Sequence, residues 1–211
     1  MTAAMPRQPS KKAAKSGEAR FDAAYYERYY GNKRTRVHDA RKVGALATGV
    51  TGLLAWWEAP LRTVLDVGAG VGHWGAWFAR NMPKVKVRST ELSSHACERY
   101  GHEQRDISRW RDKERFDLVV CQGVLPYLDD DACAAAIDNL AAMTGGFLYL
   151  EAITKEDLDE VCDVDLTDVA VHGRPASFYE ARRRRGLVKV GAGLWARKDG
   201  PTLFYALEHL R

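Results

Sequence analysis

The chain lacks a long apolar run. Its longest stretch without a charged residue, Val43–Trp57, has 15 residues and contains three glycines. A helix that crosses a bilayer needs about 20 consecutive apolar residues, so we expect a buried helix here. No continuous apolar run follows the basic residues of the N-terminus, which argues against a secretory signal. These absences predict a cytoplasmic protein without a membrane partner.

Closely spaced cysteines are missing as well. The four cysteines are Cys97, Cys121, Cys133 and Cys162, and no two of them have CxxC spacing. This argues against a zinc site, a redox motif and a dense disulfide framework. We expect these cysteines to be small buried apolar side chains.

The main part of the chain also lacks a basic excess, although the net charge is +4. Residues 1–20 account for all of that charge, with five basic residues against Glu18 alone, so residues 21–211 are balanced. A groove for a phosphate backbone normally leaves a basic excess on its own domain. The balance therefore argues against nucleic acid as a partner. The composition of residues 1–20 predicts a disordered basic tail.

Two helices are predicted in residues 21–61, before the first strand. Aromatic residues at helical spacing indicate a helix that ends near Gly31, and apolar residues indicate a second helix in 43–57 that Pro60 stops. Short aliphatic runs then alternate with helical segments, as in a parallel sheet with crossover helices. The candidate strands are Thr63–Val67, Val85–Thr90, Leu118–Gln122 and Phe147–Ala152, with a weak strand just before Asp106.

An antiparallel hairpin is predicted near the C-terminus, where Leu187–Arg197 and Thr202–Glu208 flank the turn-forming residues 198–201. A length of 211 residues suits one domain. The sequence thus predicts a single α/β domain.

The strongest functional signal is in Thr63–Trp74, where an apolar strand runs directly into a glycine-rich turn and then a helix. Glycines at 68, 70 and 72 allow a tight turn and the close approach of a ligand, and the helix start offers unpaired amides. The spacing is GxGxG, and Trp74 stands where a dinucleotide fingerprint has a small residue. The loop predicts a nucleoside-containing cofactor and weakens a nicotinamide interpretation.

Two further positions point to the same nucleoside. Glu91 ends the predicted second strand, 19 residues after Gly72, where a carboxylate can accept both hydroxyl hydrogens of a ribose. Asp106 and Ile107 follow the presumed third strand. The alternative interpretation makes Glu91 a solvated strand end and Asp106 a helix cap.

With these residues the chain resembles the class I S-adenosylmethionine-dependent methyltransferases, over residues 62–211. VLDVGAGVG resembles the family's first motif, TELS its acidic second-strand end, RDIS its adenine loop and FDLVVCQGVLPYL its fourth-strand segment. The resemblance implies a Rossmann-like, mostly parallel seven-stranded sheet with helices on both faces and a C-terminal antiparallel hairpin. S-adenosylmethionine would be the cofactor, and the helices of residues 21–61 would cover its site.

The resemblance also implies which residues hold the cofactor. The glycine loop would cradle methionine and ribose, Asp66 would support the amino end, and Glu91 would bind the ribose. The implied cofactor-binding residues are Asp66, Gly68, Ala69, Gly70, Gly72, Glu91, Leu92, Asp106, Ile107, Cys121, Gln122 and Gly123. Leu125 and Tyr127 would line the adjoining acceptor pocket.

Methyl transfer from a sulfonium is an in-line displacement, which needs a well-placed acceptor but no metal and no covalent nucleophile. Candidate catalytic residues are Glu151 at the fifth-strand end and His172 as proton acceptors, with Tyr179 in the same insertion. Arg174 of that insertion and Tyr30 of the aromatic cluster are candidates for acceptor binding, and the tyrosines for a lid. The insertion residues suggest a polar or acidic acceptor. The alternative for each is a solvated loop or a packed side chain.

The sequence at the end of the fourth strand argues against two classes of methyltransferase. Residues 121–124, CQGV, stand where adenine and glutamine amino-methyltransferases have Asn/Asp-Pro-Pro-aromatic, and no aspartate marks the magnesium-dependent catechol type. We predict metal-independent transfer to a small-molecule acceptor, with oxygen, nitrogen and carbon all open. Two alternatives are a nicotinamide-dependent oxidoreductase and a non-catalytic protein that binds a partner through its tail and aromatic helix.

Overall fold

A seven-stranded sheet forms the centre of the computed structural model, which describes residues 17–36, 38–163, 165–180 and 186–200. The strands are β1 Thr63–Val67, β2 Lys86–Glu91, β3 Glu103–Gln104, β4 Phe116–Gln122, β5 Thr144–Glu151, β6 Leu187–Gly191 and β7 Leu194–Arg197. The helices are α1 Ala23–Tyr26, α2 Ala40–Trp56, α3 His73–Asn81, α4 Ser94–Tyr100, α5 Asp130–Met143, α6 Lys155–Glu160 and α7 Ala176–Glu180. A π-helical turn, Glu27–Gly31, continues α1, and 3-10 turns cover Gly17–Arg20 and Leu125–Tyr127.

Strands β1 to β5 run parallel to one another, whereas β7 runs antiparallel to both β5 and β6. The order across the sheet is β3-β2-β1-β4-β5-β7-β6. The order therefore reverses between β1 and β4, and open α/β sheets bind ligands outside the carboxyl ends of the strands at such a reversal. The predicted fold class, a mostly parallel seven-stranded α/β sheet with a C-terminal hairpin, is confirmed.

Helices cover both faces of the sheet. Leu65 and Val119 face α5 in one apolar cluster, and Val64 and Leu118 face α2 and α3 in the other. Alternate residues of a strand point to opposite faces, so each central strand supplies both clusters. No helix in the described ranges is long and apolar enough to cross a membrane.

The second N-terminal helix, α2, packs on one face of the sheet. Asp39 caps its start by accepting a hydrogen bond from the Lys42 amide at 2.9 Å. Ala47 and Leu54 are fully buried against the sheet face. That both helices of residues 21–61 cover the cofactor site stays a prediction.

The hairpin begins earlier than predicted. Residues 187–197, expected to form one strand, form both β6 and β7. Gly191 and Gly193 have φ of 141° and 78°, and Ala192 between them has φ of 47°, so the chain reverses here. Glycine adopts such angles without strain. The expected partner strand, Thr202–Glu208, lies outside the described residues.

The last four residues of the predicted tail lie in the described part of the chain. Gly17–Arg20 forms a 3-10 turn that is tied to the rest of the chain, with Arg20 Nη2 2.7 Å from Asp168 Oδ2. Composition alone does not show a pair that is 148 residues apart in sequence. The rest of the predicted tail, residues 1–16, lies outside the described residues.

The packing of α2 can be tested with two neighbouring leucines. We expect Leu54→Ala to lower the free energy of unfolding by about 2–5 kcal/mol, because a fully buried side chain leaves a cavity. Leu53→Ala is the matched control, since Leu53 is 41% exposed, and should cost less than about 1 kcal/mol. Urea denaturation measures both, and equal losses would contradict the packing described.

Candidate functional site

The glycine loop follows β1 at the point where the strand order reverses. Gly68, Gly70 and Gly72 have φ of 69°, 58° and 79°, a region that L side chains rarely adopt. A Cβ at Gly68 would lie 2.2 Å from Val124 Cγ2. The loop therefore has both the angles and the tight contact that require glycine.

Main-chain hydrogen bonds join this loop to the end of β2. The amides of Gly68 and Ala69 both donate to Thr90 O, at 2.8 and 3.0 Å. The amide of Gly72 donates to Ala69 O at 2.8 Å, and Gly72 is the residue before α3. The loop is thus held between β2 and the start of α3.

Glu91 is buried at the end of β2 and accepts three main-chain hydrogen bonds. Oε1 accepts from the amides of Leu92 and Ser93 at 2.8 and 3.0 Å, and Oε2 accepts from the amide of Gly70 at 3.0 Å. A carboxylate has about four acceptor positions. In this arrangement one remains for a ligand hydroxyl, so Glu91 anchors the loop in addition to the predicted ribose contact.

His102, which was not predicted from the sequence, is a second residue that holds Gly70 in place. Its Nδ1 lies 2.8 Å from Ser89 Oγ, and its Nε2 lies 3.1 Å from Gly70 O. A lone histidine just before a weak strand carries no sequence signal for such a role. Together Glu91 and His102 fix both the amide and the carbonyl of Gly70.

Asp66 provides the unusual electrostatic feature of the site. Its side chain is 2% exposed, and its Oδ2 has no hydrogen-bond partner in the part of the chain that the structure describes. Burial, together with the nearby charge of Glu91, raises the pKa of Asp66 to about 7. A buried oxygen without a partner is unfavourable, so the site fits a ligand that brings a hydrogen-bond donor or a cation.

Aromatic residues of the first helix lie over the glycine loop. The Tyr30 hydroxyl lies 3.5 Å from where a Cβ of Gly70 would be. Burial raises the pKa of Tyr30 to about 12, and the charges of Glu91 and Asp66 contribute. The buried Tyr26 ring packs 5.6 Å from the Tyr30 ring. Tyr30 therefore covers Gly70, and the two tyrosines lie close to the carboxyl groups of the site.

The end of β4 contributes the predicted residues Cys121, Gln122 and Gly123. Burial raises the pKa of Cys121, with Asp66 adding to the effect, so its thiol is protonated at neutral pH. Gln122 Oε1 accepts from Trp74 Nε1 at 2.9 Å. Gly123 has φ of 70°, and its amide donates to Glu151 O at 2.9 Å. Trp74, noted above for its size, is thus a partner of the site.

Glu151 ends β5 and lies opposite Gln122 in the pairing of β4 with β5. Of the three predicted catalytic residues, it is the one at the carboxyl end of a central strand. Its carboxylate accepts from Tyr149 Oη at 2.8 Å and from Gln122 Nε2 at 3.3 Å. His38 Nε2, in the segment before α2, lies 3.9 Å away. Sequence reasoning missed both Tyr149 and His38.

The predicted adenine loop is held by its own side chains. Asp106 Oδ1 accepts from the amide of Ser108 at 2.9 Å and from its hydroxyl at 2.7 Å. Ile107 is buried, and its carbonyl accepts from Asn139 Nδ2 at 2.8 Å. Asp106 therefore serves as a turn residue, and Ile107 supplies an apolar surface.

Arg174 has a structural role that its sequence position does not show. It is 4% exposed, and its Nε donates to Asp130 at 2.7 Å. Its other nitrogens donate to the carbonyls of Leu125 and Leu128 at 3.4 and 2.5 Å. With these contacts Arg174 clamps the turn after β4 to the start of α5 and is not directed at an acceptor.

Three other predicted residues do not join the site as expected. Leu125 is fully buried in the cluster that includes α5, and Tyr179 is buried in the same cluster. His172 is exposed, and its amide donates to Pro126 O at 2.8 Å. The structure gives these side chains packing or surface positions.

Tyr127 differs from these residues because the first helix reaches it. Its hydroxyl lies 2.9 Å from the Tyr25 hydroxyl. Tyr25 in turn is 6.5 Å from Tyr30, between ring centroids. The aromatic cover thus extends from Gly70 to the turn after β4. Within the described residues, no group of three or more histidine, cysteine or acidic side chains is placed to hold a metal ion.

The chain is similar to known proteins in sequence and in fold. Residues 24–189 match a family model described as a methyltransferase domain. A similar structure is magnesium protoporphyrin IX methyltransferase (ChlM) from Synechocystis PCC 6803 with bound SAH, 17% identical over 85% of this chain and 97% of that one, with a TM-score of 0.57. Another is N-methyltransferase NodS from Bradyrhizobium japonicum WM9 in complex with SAH, 20% identical over 82% and 95%, with a TM-score of 0.54.

A third structure, DesVI from Streptomyces venezuelae, is 22% identical over 60% of this chain, with a TM-score of 0.48. The chain covers 56% of the length of DesVI. None of the curated proteins compared with the chain matches it. At these identities the likeness to solved structures concerns the fold.

The pKa of Asp66 leads to a test of stability against pH. Its carboxyl has an ordinary pKa of 3.8 and titrates near 7 in the folded chain, so the folded state holds the proton more tightly. The contribution of Asp66 to stability should therefore fall as pH rises from about 4 to about 7, by at most roughly 1.4 kcal/mol per pH unit. Asp66→Asn should remove this slope, because asparagine does not ionise.

Urea denaturation between pH 4.5 and 7.5 measures the slope. Asp131→Asn is the matched control, since Asp131 is exposed in the first turn of α5 and should leave the slope in place. Identical slopes in the wild type and Asp66→Asn would show that Asp66 does not titrate as described.

Proposed function

Because the chain belongs to the family of methyltransferase domains, we propose that it transfers a methyl group from S-adenosylmethionine to a small-molecule acceptor by in-line displacement, without a metal ion. Asp66 is the observation that carries this proposal. Its buried Oδ2 has no partner in the described part of the chain, and it lies below the glycine loop. An ammonium group, such as the amino end of methionine, supplies the missing donor.

The remaining residues fit the other parts of the cofactor. Glycines at 68, 70 and 72 allow a bound molecule to approach the loop, and Glu91 keeps one acceptor position for a ribose hydroxyl. Leu92 and the buried Ile107 offer apolar surface for an adenine ring. Cys121 and Gln122 end the strand next to β1 and would lie beside the sulfonium.

The cofactor supplies an electrophilic methyl group on a positive sulfur. The chain has to hold the acceptor in line with that methyl group and keep water out. Tyr26 and Tyr30 cover the loop, and their aromatic faces suit a positive sulfonium. The tyrosines thus combine the function of a lid with electrostatic stabilisation.

Glu151 is the proposed proton acceptor. If the acceptor atom is a hydroxyl oxygen, its proton passes to the Glu151 carboxylate as the bond to the methyl carbon forms and S-adenosylhomocysteine leaves. If it is an ammonium nitrogen, the proton passes to Glu151 first, because the nitrogen needs its lone pair for the attack. Tyr149 and Gln122 both donate to that carboxylate and fix its orientation. His38 at 3.9 Å is placed to pair with it when protonated.

A small acceptor is supported by two observations. Residues 21–211 carry as many acidic as basic residues, whereas a nucleic-acid groove normally leaves a basic excess. Two proteins of similar fold are a magnesium protoporphyrin IX methyltransferase and an N-methyltransferase. The matched family model argues against the nicotinamide alternative.

Titration with S-adenosylhomocysteine tests the cofactor proposal. We expect Glu91→Ala to weaken binding by roughly 10- to 100-fold, because a charged acceptor is lost and Gly70 is released. Glu98→Ala is the matched control, since Glu98 is exposed on α4, and should bind as the wild type does. Calorimetry that detects no binding to the wild type, or equal binding by Glu91→Ala, would contradict the proposal.

Transfer of labelled methyl from S-adenosylmethionine to a pool of amines and alcohols tests catalysis. With an acceptor found, we expect Glu151→Gln to lower kcat by about 100-fold and to leave the affinity for S-adenosylhomocysteine unchanged. Tyr149→Phe, which removes one donor to Glu151, should have a smaller effect. An unchanged kcat rejects Glu151 as the base, and cofactor binding without turnover favours the non-catalytic alternative.

A further inference from the structure

Arg20 occupies a cage of aromatic and acidic groups next to Tyr127. Its Nη2 lies 2.7 Å from Asp168 Oδ2, and its Nη1 donates to Ala170 O at 2.5 Å. The guanidinium carbon lies 4.7 Å from the centre of the Tyr127 ring and 6.0 Å from the centre of the Phe21 ring. The Arg20 and Asp168 side chains are only 18% and 12% exposed.

The walls of this cage have the chemistry that selects a cation. Aromatic faces attract positive charge, and a carboxylate with a carbonyl oxygen accepts the N–H groups of a guanidinium or ammonium. Burial raises the pKa of Tyr29, and the charge of Asp168 raises it further. The field of Asp168 therefore reaches the rings around the cage and favours a positive group there.

The cage lies on the acceptor side of the proposed cofactor site. Tyr127 follows β4, and its hydroxyl contacts the Tyr25 hydroxyl. Tyr25 packs against Tyr30, which covers Gly70. Two aromatic rings, those of Tyr127 and Tyr25, thus connect the cage with the ring over the glycine loop.

The insertion presents less positive charge to an acceptor than its sequence suggests. The expectation of a polar or acidic acceptor came from His172, Arg174 and Tyr179, and the donors of Arg174 are taken by Asp130 and two carbonyl groups. In contrast, the insertion contributes the Asp168 carboxylate to the cage. The charge presented beside Tyr127 is therefore negative once Arg20 is moved away.

We propose that this cage binds a positively charged amino or guanidino group of the acceptor, and that Arg20 is an internal occupant which the acceptor displaces. The cationic group serves as an anchor and is separate from the atom that receives the methyl group. That the bound cation belongs to a methyl acceptor rests on the proposed methyltransferase function, whereas the existence of the cation site does not.

Ligand-observed NMR on the full chain tests the site with butylguanidinium and its neutral analogue butylurea. We expect Arg20→Ala to bind butylguanidinium roughly tenfold more tightly than the wild type, because the internal competitor is gone. Adding Asp168→Asn to Arg20→Ala should abolish this binding. Butylurea should bind none of the proteins, since it lacks the charge.

Arg28→Ala is the matched control. Arg28 belongs to the same segment and lies 5.1 Å from the Tyr29 ring, so its loss removes an equal charge without emptying the cage. Arg20→Lys should also show no gain, because lysine keeps a competing cation. An affinity gain in Arg28→Ala equal to that of Arg20→Ala, or binding that survives Asp168→Asn, overturns the proposal and leaves Arg20–Asp168 as a structural pair.

Titration of each variant with S-adenosylhomocysteine separates this result from the proposed function. Arg20 and Asp168 lie outside the glycine loop, so all variants should bind S-adenosylhomocysteine as the wild type does and unfold at similar temperatures. If the wild type binds no S-adenosylhomocysteine, the methyltransferase proposal fails. The butylguanidinium series then still decides whether the cage is a cation site.

Discussion

The carboxylate of Glu91 is the constraint on which the rest of the site depends. It stands at the end of β2 and accepts the amide of Gly70, and its other oxygen holds the turn into α4. Gly70 has a φ of 58°, which only glycine adopts at little cost. The loop thus keeps its shape because a buried carboxylate accepts the amide of Gly70, and His102 lies within hydrogen-bond distance of the carbonyl of the same residue.

Close to Glu91, the Oδ2 atom of a second buried acid, Asp66, has no hydrogen-bond partner among the described residues. Asp66 sits close enough to Glu91 that the two charges oppose each other, and burial adds to the effect. In the absence of a ligand the protein relieves this opposition by keeping the proton on Asp66 up to about pH 7. A ligand ammonium relieves it differently, by pairing with the ionised group. The instability that the site introduces into the fold is therefore also a source of binding free energy.

The sequence predicts what is local and misses what is distant. β1, the glycine loop and Glu91 lie in short segments whose spacing follows from one strand, one turn and one helix, and the structure places them as expected. The contacts Arg20–Asp168 and His102–Gly70 join residues far apart in sequence. The contacts of Arg174 show the same limit, since its partners are supplied by the turn after β4 and the start of α5. Sequence spacing shows which residues could bind a ligand. Only the packed structure shows which of them already bind other parts of the chain.

The first helical segment connects the two halves of the site. On the cofactor side, Ser93 Oγ donates to Phe21 O at 2.6 Å, and Tyr30 covers the glycine loop. On the acceptor side, Arg20 pairs with Asp168. Because one short segment makes both sets of contacts, residues 20–30 supply both the ring over Gly70 and the cation that fills the cage beside Tyr127.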